Sequence, residues 1–583
     1  MSKLTGAQIL IECWKKEGVE VVFGYPGAAT VEIHHYLHES PIRFILCRHE
    51  QAAVHAADGY ARSTGRPGVV LVTSGPGATN TVTGLAGANM DSVPVLVFSG
   101  QVARMLIGND AFQEVDIVGM TRPATKHNYL VLSTGELAST VKEAFYVAVS
   151  GRPGSILVDL PKDVIGGEAE FSYPKKIQLR AYRPHLTPHP RQVMKAAGLL
   201  RSAKRPAVLA GGGVISSGAT EELVRLAEAL EIPVATTLMG LGGFPGTHRL
   251  CLGMPGMHGL YRANMALQNA DLIVAVGARF DDRVTGALER FAKGAAIVHI
   301  DVDTTSIHKI LAVDIPLVAD ARQALAALAA EIGAVPAFDR DSRLAWLERI
   351  DAWSRESPLA YSQHPEGPLL PQRVIEALYR QTSGKAVICT EVGQHQMWAA
   401  QYYPCDRPRQ FISSGGLGVM GFGLPAAIGA QVARPGSTVV DVAGDGSILM
   451  NIQELATVAQ ESLPVKVAIL NNGSLGMVSQ WQDLFYGGRR AATVLGPSPD
   501  FVRLAEAFGI RGFCASTPHE ADAIIKEALS HPGPAVMDFR VSGSELVFPM
   551  VPAGKALDEM LLAAPEAPEP SEAPEASPAP EEG

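Results

Sequence analysis

The chain has 583 residues, of which 47% are hydrophobic and 19% charged, and its formal net charge is −10. This balance describes a globular protein with large buried sheets, and the length asks for about three or four domains. The acidic charge argues against nucleic-acid or membrane-surface partners, and no apolar run approaches the ~20 residues of a membrane span.

At the start, Met1-Ser-Lys-Leu-Thr runs into an amphipathic helix without a signal or transit segment, so a cytoplasmic protein is expected. Cys13, Cys47, Cys251, Cys389, Cys405 and Cys514 are scattered, with no CxxC pair or metal spacing, which fits reduced thiols. Residues 1–165 alternate short apolar strands with Ala-rich helices: Val19-Glu-Val-Val-Phe, Phe44-Ile-Leu, Val69-Val-Leu-Val-Thr, Pro94-Val-Leu-Val-Phe and Ser155-Ile-Leu-Val-Asp. That rhythm predicts a doubly wound parallel sheet. A Pro- and Lys-rich connector precedes a second unit, 191–335, built around Pro206-Ala-Val-Leu-Ala, Leu272-Ile-Val-Ala-Val and Ala296-Ile-Val-His-Ile. A charged, mostly helical bridge and a Pro-rich turn lead to a third unit, 371–550. Its strands include Ala386-Val-Ile-Cys-Thr, Thr438-Val-Val-Asp-Val-Ala and Val465-Lys-Val-Ala-Ile-Leu. The stretch 564–583 is Pro, Glu, Ala and Ser up to its last Gly and carries six Glu, so a disordered acidic tail is expected. The expected class is α/β, with three doubly wound parallel-sheet domains.

The densest signal lies in the third unit. Asp445-Gly446-Ser447 and Asn471-Asn472-Gly473 each follow an apolar strand, with 27 positions from Asp445 to Asn472 and a helical stretch from Met450 between them. A right-handed crossover puts both strand ends on one edge of the sheet. A carboxylate, an amide oxygen and nearby carbonyls can then converge on a hard divalent ion that shares its shell with a diphosphate. The spacing is the thiamine-diphosphate signature.

Glu50, in Arg48-His-Glu-Gln-Ala-Ala, follows a strand and stands where open parallel sheets bind ligands. Thiamine chemistry needs a carboxylate against the aminopyrimidine ring. The same position is also a helix first turn, where an acid is stabilised by the dipole. Gly24-Tyr-Pro26-Gly27-Ala28 and Ser74-Gly-Pro-Gly77-Ala-Thr-Asn80 read as strand-to-helix turns that let a ligand approach the backbone, or as turns alone. Gly416-Leu-Gly418-Val-Met-Gly421 matches a dinucleotide fingerprint, but the following acid belongs to the Gly-Asp-Gly-Ser turn, and the loop opens a tightly packed helix. In the second unit, Gly211-Gly-Gly213, Arg279 and Asp301 stand at strand ends and suit an adenine-containing cofactor or a surface ion-pair cluster.

Longer runs carry a family resemblance from Gly6 to about Thr493. They are Arg48-His-Glu-Gln-Ala-Ala-Val-His-Ala-Ala-Asp-Gly-Tyr-Ala-Arg, Thr73-Ser-Gly-Pro-Gly-Ala-Thr-Asn, Asp110-Ala-Phe-Gln-Glu, Lys126-His, Gly393-Gln-His-Gln-Met-Trp-Ala-Ala-Gln and Gly476-Met-Val-Ser-Gln-Trp-Gln. In these the chain resembles the catalytic large subunits of acetohydroxyacid synthase, also called acetolactate synthase. The resemblance implies pyrimidine, FAD-type and diphosphate domains in that order, with thiamine diphosphate, Mg²⁺ and a non-redox FAD as cofactors. It implies Glu50 as activator of the cofactor, with Gly27 and Gln113 beside it. Asp445, Asn472 and the backbone of Ser474 would hold the metal. Pro26, Gln394, His395, Gly418, Met420, Gly446, Ser447 and Met477 would surround the thiamine. Arg152, Gly211, Gly212, Gly213, Met257, His258, Gly259, Arg279, Asp301 and Asp320 would line FAD. Phe112, Lys162, Arg283 and Trp481 would meet small 2-oxo acids, Trp481 selecting the second one. A homodimer or homotetramer is implied, and a separate small regulatory subunit is compatible with it. Ala28, Ala103 and His34-His35-Tyr36 depart from the family pattern without removing a residue needed to activate the cofactor. An FAD-using pyruvate oxidase and a plain decarboxylase are the rival chemistries; Gln480-Trp481-Gln482 stands against the oxidase. A glyoxylate carboligase is disfavoured by Glu50.

Overall fold

The computed structural model describes residues 3–177, 179–333 and 337–564; the expected disordered tail lies, from 565 onward, outside the described residues. Among them, no helix is long and apolar enough to cross a membrane.

Runs such as Gly68–Val72 and Leu272–Val276 are buried along their whole length, which is why they sit in the middle of parallel sheets rather than on a half-wet face. Three six-stranded sheets result. The first runs Arg43–Leu46, Val21–Tyr25, Gly68–Val72, Val95–Gln101, Ile156–Pro161, His127–Leu130, with every pairing parallel. The third runs Phe411–Ser413, Val387–Thr390, Val439–Gly444, Lys466–Asn471, Ala535–Arg540, Arg511–Ala515, also parallel. Counted within each unit, both follow the order second, first, third, fourth, sixth, fifth. The middle sheet differs. Its order is Cys251–Gly253, Val234–Thr236, Pro206–Ala210, Leu272–Val276, Ala296–Asp301, Ile315–Val318, the doubly wound dinucleotide arrangement of third, second, first, fourth, fifth, sixth.

One local expectation is extended and another corrected. Lys3–Thr5 does run straight into the helix Gly6–Lys16, which Thr5 caps, but it also forms an unexpected three-residue strand antiparallel to Glu168–Glu170. Three residues are too few for alternation to register as a strand. The helical stretch from Met450 is delayed: a 3-10 turn at Ile452–Glu454 precedes the helix Leu455–Gln460. Asn451 is pulled aside because its Nδ2 donates to the Gly421 carbonyl at 2.6 Å.

The first and third units meet through two helices, Glu50–Thr64 and Gly423–Ala433. Their axes come together at Gly59 and Gly429, where a Cβ would overlap the carbonyl oxygens of Ala426 and Ala56. The bridge helix Arg340–Glu356 is tied to the middle unit by Arg343, fully buried, which donates to the carbonyls of Ala203, Leu230 and Leu200 at 2.9, 2.6 and 2.5 Å. Those carbonyls close the helices Pro190–Ser202 and Thr220–Leu230, so a cation there complements two helix C-termini.

Candidate active site

The third unit presents a pocket of about 80 Å³ at the C-terminal edge of its sheet, lined among others by Gln394, His395, Met420, Asp445, Asn472 and Met477. Gly446, Ser447 and Ser474 line it too. Each is placed by a turn after a strand: Val387–Thr390 leads to Gln394 and His395, Val439–Gly444 to Asp445, and Lys466–Asn471 to Asn472. The backbone turns helical at once over Asp445–Ile448, which buries Asp445 and Ser447.

Several buried polar atoms here have no partner among the described residues: both Asp445 carboxylate oxygens, Ser447 Oγ and His395 Nε2. Such atoms carry a desolvation cost unless something binds them. Asp445 is 1% exposed, and burial pushes its carboxyl up to about 6. Burial holds the His395 imidazole down to about 3, so it stays neutral. Asn472 Oδ1 accepts the Ser474 N–H at 3.1 Å, and its Nδ2 donates to Gln394 Oε1 at 3.1 Å. Gln394 in turn donates to Gln480 Oε1 at 2.9 Å. One carboxylate, one amide oxygen and adjacent hydroxyls form the hard, oxygen-rich donor set that suits Mg²⁺ and a diphosphate.

Glu50 opens the helix Glu50–Thr64, capped by the His49 side chain. Its Oε2 accepts the Asn80 amide at 2.9 Å, and a Cβ on Gly77 would stand 3.3 Å from its Oε1. The preceding turn is fastened to the third unit of the same chain: Arg48 N–H donates to Glu454 Oε1 at 2.8 Å, and Thr457 Oγ1 to the Leu46 carbonyl at 3.1 Å. Gly27 packs against the Thr73 side chain, with no space for a Cβ, and Pro26 beside it is exposed. Gln113 adopts a left-handed φ of 57°. Phe112 is 87% exposed, and Lys162 and Arg283 are exposed. Trp481 packs edge-on against Phe485, with 5.3 Å between ring centroids.

None of Glu50, Gly27, Phe112 or Gln113 lines the Asp445–Asn472 pocket. Within one chain, the acid therefore stands outside the oxygen-rich pocket.

A larger cavity of about 470 Å³ lies over the middle sheet, lined by Arg152, Gly212, Gly213, Arg279, Asp301 and Asp320 among others. Gly211 packs under it: its N–H donates to the Val276 carbonyl at 2.9 Å, and a Cβ would overlap Gly277. Burial pushes Asp301 up to about 6, while Arg152 bridges to Asp303 at 3.3 Å. Met257, His258 and Gly259 do not line this cavity; His258 is buried, with both ring nitrogens unpartnered.

Sequence reasoning gave no role to Asn80, although it lay inside a quoted run. It also missed Glu391 and Asn451, which hold the Gly421 turn beside the pocket. The signal available for Glu391 was its place at the end of a buried strand, next to Gln394 and His395.

Comparisons with known proteins identify the family. Residues 4–120 match the thiamine pyrophosphate enzyme N-terminal TPP binding domain, 193–328 the central domain, and 391–539 the C-terminal TPP binding domain. The acetolactate synthase isozyme 3 large subunit of Escherichia coli (strain K12) is 50% identical over 573 residues, covering 97% of this chain and all of that protein. The acetolactate synthase of Mycobacterium bovis is 48% identical, covering 97% of this chain and 92% of its own. A probable acetolactate synthase large subunit of Methanocaldococcus jannaschii is 46% identical, covering 96% and 95%. With its three domains in the same order and half its residues shared along nearly the whole length, the chain belongs to the acetolactate synthase large subunits, thiamine-diphosphate-dependent enzymes of branched-chain amino-acid biosynthesis.

Proposed function

We propose that the chain decarboxylates pyruvate and joins the remaining two-carbon unit to pyruvate or 2-oxobutyrate, giving 2-acetolactate or 2-aceto-2-hydroxybutyrate. The observation that carries this reading is the pocket in which Asp445, Ser447 and His395 present unpartnered polar atoms beside Met420 and Met477. Bound thiamine diphosphate supplies the electron sink that lets CO₂ leave a 2-oxo acid. Asp445, Asn472 and the Ser474 backbone would hold Mg²⁺, Gln394, His395, Gly446 and Ser447 would bind and orient the diphosphate, and Gly418, Met420 and Met477 would contact the thiamine.

Glu50 would accept a proton at the aminopyrimidine ring, its carboxyl oriented by the Asn80 amide that donates to Oε2. Gly27, with Pro26, leaves its backbone open to the ring and to charge developing on the donor oxygen. Glu50 and the pocket lie apart in one chain, so a second copy is needed to set one chain's Glu50 opposite the other's Asp445. A homodimer is the least assembly that does so, and a homotetramer is two of them. Exposed Phe112 then has a covered place, with Gln113, Lys162, Arg283 and Trp481 around the 2-oxo acids. Trp481 restricts the acceptor by its bulk.

FAD fits the large middle cavity: the strand order is of the dinucleotide type, Gly211, Gly212 and Gly213 give a close backbone approach, and Arg152, Arg279, Asp301 and Asp320 supply polar partners. Met257, His258 and Gly259 would meet its far end. Its role is structural. The relatives' name "large subunit" supports a small regulatory subunit as a further partner. A cytoplasmic location accords with six unpaired cysteines, of which Cys514 is exposed and the other five are buried.

The test is product analysis of the purified chain with thiamine diphosphate, Mg²⁺, FAD and pyruvate, alongside Glu50→Gln. Acetolactate that disappears in the variant is expected. Acetaldehyde, or acetate with a reduced flavin, would move the function to a decarboxylase or an oxidase.

A further inference from the structure

Two carboxyls lie beneath the glycine-rich loop without a counter-ion. Glu391 and Asp441 are both 0% exposed, on the neighbouring strands Val387–Thr390 (Glu391 follows its end) and Val439–Gly444. Among the described residues no Lys, Arg or His donates to either. Glu391 is well satisfied: its Oε2 accepts the Gly421 N–H at 2.6 Å and its Oε1 the Leu424 N–H at 3.2 Å. The Leu424 N–H is one of the free donors in the first turn of the 11-residue helix Gly423–Ala433, a place that favours an anion, and the Gly421 N–H belongs to the turn that leads into it. Asp441 is the opposite case: neither of its oxygens has a partner. Its Oδ1 presses on Gly423, where a Cβ would overlap it and would also stand 2.6 Å from the Glu391 backbone nitrogen. The Asp441 carboxyl and the Glu391 backbone both close on Gly423, and its lack of a side chain is what makes the space.

Two unpaired anions in such a site are too costly to persist. Burial raises both groups above the usual carboxylate range. The Glu391 charge pushes Asp441 up further, whereas backbone N–H groups of Leu424 and Gly421 draw Glu391 down. The proton belongs on Asp441.

Glu391 also bears on the loop that lines the cofactor pocket. Met420 is held between two fixed neighbours: Val419 N–H donates to Ser414 Oγ at 3.0 Å, and Gly421 is gripped at its N–H by Glu391 and at its carbonyl by Asn451. Gly421 itself has a φ of 85°, so the turn depends on these contacts rather than on side-chain packing.

We propose that Asp441 is a permanently protonated carboxylic acid, that Glu391 is the anionic member of the pair, and that Glu391 is a positioning residue which sets Met420 against the cofactor through the Gly421 turn. The second half rests on the reading of Met420 as a thiamine contact; the first half does not.

Infrared spectroscopy of the full-length chain near neutral pH reads the first half directly. A neutral-carboxyl C=O band is expected that carbon-13 aspartate labelling shifts and D441N removes. The substitution separates it from Asp159 and Glu454, whose carboxyls burial pushes up to about 7, and an aspartate band that survives D441N counts against the assignment. Calorimetric titration with thiamine diphosphate and Mg²⁺ reads the second half. E391Q puts amide hydrogens against the turn's N–H groups and is expected to weaken binding about tenfold. D441N keeps the neutral state and is expected to weaken it several-fold less than E391Q. Packing alone predicts equal losses, because both changes are isosteric and both sites fully buried. The absence of an aspartate-derived neutral band overturns the proton assignment, and equal losses overturn the positioning role. Failure of the unsubstituted chain to bind thiamine diphosphate would instead overturn the reading of the pocket, leaving the infrared result standing.

Discussion

The first and third units carry six strands in the same order, and the turns after corresponding strands do different work. After the first strand stand Pro26 and Gly27 in one unit, and Gln394 and His395 in the other. After the second come Glu50 and the loop of Gly418 and Met420; after the third, Gly77 and Asp445. One unit presents backbone and a single acid, the other a cluster of oxygen donors. Topology fixes where a turn opens, and side-chain chemistry at that turn decides what it can hold.

The comparison breaks most sharply at Glu50. Replacing it with Gln should lower kcat by about 10²- to 10⁴-fold, with little change in thiamine diphosphate affinity, because a positioned proton acceptor is lost and the diphosphate pocket is untouched. Steady-state kinetics beside calorimetric binding separates these; a large loss of affinity would put Glu50 among the binding groups instead. Asp445→Asn should show the reverse emphasis, weakening Mg²⁺-dependent binding of thiamine diphosphate by at least about tenfold. Binding that no longer responds to Mg²⁺ concentration is the expected signature.

A third change tests the seam between the units. Gly429→Val places a branched side chain against the Ala56 carbonyl, and a loss of about 1–3 kcal/mol in stability is expected from overpacking, read as a lower Tm. A Tm equal to that of the unsubstituted chain would show that the helices can part there. The smallest effects concern a feature the units share. Thr5 with Gln8 and Thr517 with Glu520 each form a capping box, so Thr5→Ala and Thr517→Ala should each cost about 1 kcal/mol. Unequal losses in chemical denaturation would reveal that one helix is held mainly by packing.

Much of this was legible before any coordinates. Fully apolar runs marked the central strands, and the spacing from Asp445 to Asn472 put two turns on one edge of a sheet. The edges of the sheets were harder to read. His127–Leu130 contains His, Asn and Tyr, and as an edge strand it lacks the buried pattern that identifies its neighbours. The strand Lys3–Thr5 depends on Glu168–Glu170, a partner far along the chain, and local sequence carries no trace of that pairing. Met257, His258 and Gly259 were grouped with Arg279 by resemblance, yet they stand outside the cavity that Arg279 lines. The pairing of Glu391 with Asp441 was likewise invisible, since it depends on which strands become neighbours and on how a glycine is used between them.

The contact at Gly59 and Gly429 bears on where this molecule can move. With backbone against backbone and no side chains to re-rotamerise, the two outer units have no lubricating layer along which to slide. Any opening for substrate entry must be taken up at the periphery. One segment stands out: the loop bearing exposed Met105 and Phe112, whereas the chain around buried Val547 is fastened to Gln480 by a reciprocal pair of hydrogen bonds at 2.8 and 3.0 Å. The paired units would then act as a rigid anvil, with access controlled by the part that lies upon it.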